Sequence, residues 1–160
     1  MKKYFLLILL FVSSFGFTQA LNNYKYAIVP SKFGFLKETD QYRLNTFTKM
    51  FMEKYGFITY LDTDNQPKEV ANENCNKVYV DVLSNGSLFT TKLTVVLKDC
   101  SNNIVFKSIE GKSREKVYQK AYNQALREAF DSFEKLAFKY NGKSTNSETA
   151  VEKLLLRIRR

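Results

Sequence analysis

Two segments of this chain alternate apolar and polar residues with period two, on either side of a turn-forming tetrapeptide. Lys77 to Leu83 carries Val78, Val80 and Val82 on one side, and Thr91 to Lys98 carries Leu93, Val95 and Leu97 on one side. Ser84-Asn85-Gly86-Ser87 between them is turn chemistry. The pattern demands an antiparallel hairpin with one buried face. Pairing Val80 with Val95 sets Val78 against Leu97 and Val82 against Leu93. The same register brings Cys75 opposite Cys100, the only two thiols of the chain. Both then share the other face with Tyr79 and Val96. It also sets Lys77 against Lys98, which is mildly unfavourable. We expect a structural disulfide between Cys75 and Cys100, contributing about 3 kcal/mol in the chain-entropy model. Cross-strand neighbours do not always have good disulfide geometry. The alternative, a reactive redox pair, lacks a C-x-x-C motif.

The first twenty residues bear on where such a bridge forms. Lys2 and Lys3 precede an apolar run from Tyr4 to Val12, followed by small residues around Gly16 and Ala20. This is the pattern of a secretory signal peptide over 1–20, cleaved after Gly16 or Ala20. The run is too short for a membrane span, which needs roughly 20 apolar residues. No Cys follows it, so the exported protein is expected not to be a lipoprotein. The compartment is periplasmic or extracellular, where disulfides persist.

The remaining length, about 140 residues, suits one domain with a real core. The chain has 25 basic and 16 acidic residues. Removing the leader lysines leaves a net charge of +7, of which residues 141–160 supply +3. Such an excess attracts anionic surfaces without specificity, and export argues against nucleic acid as a partner. Histidine is absent. That removes imidazole acid–base groups, Ser–His nucleophile pairs and His-ligated metals. Carboxylate chemistry is still open, but no spacing singles out a pair. We expect no catalytic residue, no cofactor and no metal.

Lys25 to Pro30 reads as a strand, then a cap at Thr39 or Asp40 opens a helix with Leu44, Phe47, Phe51 and Tyr55 as its apolar stripe. Gly56 stops that helix, and Phe57 to Leu61 is a second strand, parallel to the first. A polar loop spans 62–76. After the hairpin, Ile104 to Ile109 is a fifth strand. Ser113 caps a long helix over 114–140, with Tyr118, Tyr122, Ala125, Ala129, Phe133, Leu136 and Tyr140 on its buried face. Its alanines imply close approach to a sheet. The order β-α-β-β-β-α predicts an α+β, two-layer fold: a mixed five-stranded sheet with two helices on one face. The domain runs over 21–142. A linker and a basic amphipathic tail occupy 143–160, where Leu154, Leu155, Arg157, Ile158, Arg159 and Arg160 form a candidate contact with a partner or a membrane.

Two motifs fail on inspection. Gly111-Lys112-Ser113 sits where a phosphate-binding loop ends, but the glycine required five residues earlier is Phe106. Asp62-Thr63-Asp64-Asn65-Gln66 with Glu73 imitates a calcium loop, but Pro67 replaces the glycine of its sharp turn and Lys68 follows.

The order of elements, with Ala27-Ile28-Val29-Pro30, Val78-Tyr79-Val80-Asp81-Val82, Leu93-Thr94-Val95-Val96-Leu97-Lys98-Asp99 and Gly111-Lys112-Ser113 opening an alanine-bearing helix, resembles small envelope α/β domains of the TolB amino-terminal type. It is also similar to the periplasmic domain of curli-secretion lipoproteins and to penicillin-binding-protein activators. The resemblance spans roughly residues 24–140, on short motifs. It lacks the lipoprotein cysteine of the latter two and the propeller that follows in TolB. The chain also resembles secreted proteins of Bacteroidetes-type bacteria. The resemblance implies a non-enzymatic role through protein contacts in the envelope, and transfers no functional residue. We therefore expect an exported interaction module with an envelope protein as partner. Its interaction face would be the sheet side bearing Tyr79, Leu83 and Val96. The alternative is a domain binding a small ligand or lipid through that face and the tail, with weak contact to anionic membrane.

Overall fold

In the computed structural model, which describes residues 21–72 and 74–142, the buried strand Tyr26–Val29 (β1) lies beside two parallel neighbours. The expected leader, the tail with its six candidate residues, and Glu73 lie outside the described residues. From β1 the chain passes through a short 3-10 turn, Gln41–Arg43, into the helix Leu44–Lys54 (α1), and returns as Ile58–Leu61 (β2). A five-residue helix, Lys68–Asn72 (α2), and a 3-10 turn at Asn74–Asn76 precede the hairpin Lys77–Ser84 (β3) and Thr91–Lys98 (β4). Ile104–Lys107 (β5), Gly111–Ser113 (β6) and the helix Tyr118–Glu134 (α3) complete the order. The strands run β2-β1-β3-β4-β5, with β6 also paired to β4.

This is the expected two-layer α+β fold with a mixed sheet. Helices α1 and α3 cover one face, burying Leu44 and Met52 with Ala125, Leu126, Ala129, Phe130 and Phe133 against Val78, Val80, Val82, Leu93, Val95 and Leu97. Aromatic pairs knit the layers: Phe51 to Phe130 at 4.8 Å, and Phe106 edge-on to Phe133 at 4.7 Å. Each is worth about 0.5–1.5 kcal/mol beyond its buried area.

Four expectations need correction. The hairpin register is displaced by two residues: Val80 pairs with Leu97 and Val82 with Val95. The turn is centred between Leu88 and Phe89, beyond the Asn-Gly step, with a bridge from Ser87 to Thr90. A shift of two leaves every side chain on its expected face. It also parts Lys77 from Lys98. Lys98 stands opposite Tyr79 and pairs with Asp81 at 3.1 Å.

Second, the sheet has a sixth strand. β5 and β6 form one broken edge along β4. At the break, Ser108 donates its amide to Val95 O and accepts Val95 N–H on its hydroxyl, both at 2.8 Å.

Third, α3 is shorter than expected, and Ser113 does not cap it. Ser113 lies in β6 with its hydroxyl on Gln124 at 2.7 Å. Tyr118 is 68% exposed, not buried. Beyond Glu134, Ala137 takes a φ of 43° and Phe138 folds back onto Phe57 at 3.9 Å.

Fourth, the polar loop contains α2. Its Val70 covers Tyr26 and Ile28 on the face away from α1 and α3.

Two local devices set the layers. Asp40 acts as the helix cap from a distance, its carboxylate accepting the Thr46 amide at 2.9 Å and the Thr46 hydroxyl at 2.6 Å. An acidic group near that helix start is favoured by the helix dipole. Gly111 lets β6 lie against Ala125 and Ala129 of α3, where a Cβ would strike backbone atoms.

Candidate interaction surface

The disulfide forms between Cys75 and Cys100, with Cα atoms 5.1 Å apart. It does not arise from the ladder, whose observed register would set Cys75 opposite Asn102. Two turns bring the thiols together. Cys75 lies in the 3-10 turn before β3. Cys100 lies in a turn organised by Asp99, whose carboxylate accepts the amides of Ser101 and Asn103, each at 2.8 Å. Such side-chain acceptors are a standard way of fixing a tight turn. The bridge fits an oxidising, exported environment. Among the described residues, no helix is long and apolar enough to cross a membrane.

The side chains of β3 that point away from α1 and α3 include Tyr79 and Leu83, 39% and 46% exposed. Val96, expected to share this open face, is fully buried. It occupies the middle of a central strand, level with Asp81 on β3 and Lys107 on β5. Longer neighbours on the same face shield a short branched side chain.

A cleft of about 460 Å³ opens beside Tyr79, lined by Ile28, Pro30, Lys32, Asp62, Asp81, Lys98 and Asn102 among others. Asp62 accepts the Ser31 amide at 2.8 Å across the ends of β1 and β2. Asp64 instead accepts Lys49 at 2.8 Å and the Leu61 amide at 2.9 Å. The lysine, then the amide, hold its carboxyl below the usual range. The two carboxylates that imitate a calcium loop thus serve separate structural partners. Two residues before Tyr79, the buried Lys77 donates its amine to Val70 O and sits 5.9 Å from the Tyr79 ring. Burial pushes its pKa down.

A second exposed feature was missed by the sequence reading. Leu88 and Phe89 at the hairpin tip are 96% and 85% exposed. Thr91 pairs with Ser113, so the chain after β6 runs alongside the tip, and a recess of about 590 Å³ is lined by Leu88, Phe89, Arg114, Glu115, Lys116 and Tyr118. The signal was available: two large apolar residues inside a turn between alternating strands. Tyr118 begins a file of stacked rings through Tyr42 at 6.4 Å and Tyr122 at 5.0 Å from Tyr42. Tyr42 holds a left-handed backbone with φ 59°, as do Asp40 and Arg43 beside it at 48° and 59°. Non-glycine residues in that region carry strain that the surrounding packing must hold. Burial, then Tyr42, push the Tyr122 hydroxyl up, opposed by its hydrogen bond to Ser84.

No protein-family model matches the chain, and no curated protein matches it. Among solved structures it is similar to a point variant of PelC from Paraburkholderia phytofirmans, a dodecamer. The TM-score is 0.46 at 11% identity, over 73% of this chain and 91% of that one. At that level the likeness bears on neither function nor assembly.

Proposed function

We propose that this chain is an exported, non-enzymatic protein-interaction module of the cell envelope, the role implied by its resemblance to TolB amino-terminal-type domains. The observation that carries the reading is the open sheet face, where Tyr79 and Leu83 stand exposed and Tyr79 lines a cleft. A tyrosine with an apolar ring and a polar tip, set beside a recess, is the composition favoured at protein interfaces. The Asp81–Lys98 pair at the rim adds orientation more than energy, since an exposed pair contributes about 0–1 kcal/mol. The Cys75–Cys100 bridge supports export.

The test is a photo-crosslinking residue at position 79, activated in the native envelope. One dominant protein adduct, lost with Leu83→Asp, supports the reading. Turnover of peptidoglycan or nucleotides by the purified protein would overthrow the non-enzymatic part. A second reading, small-ligand or lipid binding, is favoured by the cleft volume, which falls in the range of ligand sites, roughly 300–1,000 Å³. Native mass spectrometry that retains a small molecule, without a protein adduct at position 79, would select it.

A further inference from the structure

We propose that the tip of the β3–β4 hairpin, led by Leu88 and Phe89 and flanked by Arg114 and Lys116, seats in the interfacial layer of an anionic lipid bilayer. Shape is the first argument. A stable protein interface covers roughly 800 Å² on each partner and needs a broad complementary patch. Here two consecutive side chains stand almost wholly in solvent at the end of a hairpin, a point and not a patch. A point suits insertion into a fluid interface, where apolar area is buried without a preformed pocket.

Charge is the second argument. From Lys112 to Lys120 the chain carries four basic residues, Lys112, Arg114, Lys116 and Lys120, against one acidic residue, Glu115. Arg114 and Lys116 are exposed, line the same recess as Leu88 and Phe89, and join no ion pair among the described residues. Lys112 and Lys92 share Glu110, at 3.5 and 3.1 Å, so their charge is partly spent. Free cations beside an apolar point match the negative surface of an anionic leaflet, as the neutral headgroups of phosphatidylcholine do not. Tyr118, exposed at the same end, is a side chain that favours the headgroup level.

Preorganisation is the third argument. The β3–β4 ladder that ends at Ser84 and Leu93 and the Ser87–Thr90 bridge at the tip hold the point before contact, which lowers the ordering cost of binding.

The chain contains no tryptophan, so Phe89→Trp installs a single reporter at the tip. The full-length protein, purified as exported, is mixed with vesicles of phosphatidylglycerol and phosphatidylethanolamine. The expected result is a shift of indole emission to shorter wavelength and quenching by brominated acyl chains. Vesicle affinity should fall about tenfold or more with Leu88→Ser combined with Phe89→Ser. It should fall similarly with phosphatidylcholine alone or in about 1 M salt, where the Debye length is about 3 Å. All these substitutions sit on exposed positions, and circular dichroism checks that the fold persists. Unchanged emission with anionic vesicles overturns the proposal, even if the protein sediments with them through another segment. A shift seen only on adding envelope protein also overturns it and makes the tip a protein-docking point. Neither outcome touches the crosslinking result at position 79.

Discussion

A methyl group placed on Gly111 would sit 1.9 Å from the carbonyl oxygen of Ala125 and 2.5 Å from the amide nitrogen of Ala129. Both are backbone atoms of one helix, so no rotamer change relieves the clash. Strand β6 and helix α3 touch through this position. Gly111→Ala should therefore destabilise the fold by about 3 kcal/mol or more, as overpacking against backbone does. Urea unfolding checks it, and a cost below about 1 kcal/mol would mean that β6 yields easily.

The disulfide carries a prediction of its own. Thiol titration of the non-reduced protein should find no free thiol, and Cys75→Ser combined with Cys100→Ser should cost about 3 kcal/mol. Two reactive thiols in the non-reduced protein would contradict the bridge.

Ser108 replaces a ladder carbonyl at the break between β5 and β6, accepting the buried Val95 amide at 2.8 Å. Ser108→Ala leaves that amide without its acceptor. We expect a loss of about 1–3 kcal/mol, with faster hydrogen exchange at Val95 than in the parent protein. An unchanged exchange rate would show that another acceptor takes over.

Lys77 sets a pH dependence. Burial lowers its folded pKa below the ordinary 10.5, while the unfolded chain keeps the ordinary value. Between the two, the unfolded state holds a proton that the folded state lacks, so stability rises with pH across that window. Below the folded pKa the full cost of burying the charge is present. The stability difference between Lys77→Met and the parent should therefore shift toward the parent as pH climbs to 10.5. A difference independent of pH up to 10.5 would show that the amine titrates normally.

Much of this architecture is legible in the residues, and the failures have physical reasons. The alternation at 77–83 and 91–98 fixes which face is buried, because period two does not depend on register. It cannot tell pairing Val80 with Val95 from pairing Val80 with Leu97, since both keep the same sides. The Asn85-Gly86 signal pulled the turn centre one position too early. Gly111-Lys112-Ser113 looks like a helix start because glycine and serine favour caps, yet glycine there meets the need for close packing on α3. The stripe Leu44, Phe47, Phe51, Tyr55 marks a real helix, but the side chains fully buried against the sheet include Asn45, Thr48 and Met52. Tertiary packing rotated the helix, and polarity alone gives no hint of that. Of the candidate face, Tyr79 and Leu83 are exposed and Val96 is not, because exposure depends on the neighbours across the ladder.

The bridge between Cys75 and Cys100, 25 positions apart, makes the hairpin a closed covalent ring whose exposed bend lies far from the sulfurs. A protease that cuts beside Leu88 or Phe89 would open the ring without parting the molecule. The nicked protein would migrate as one chain until a reductant is added, and only then as two fragments. An exposed bend of this domain is thus also a place where the chain can be cut and the molecule stay in one piece.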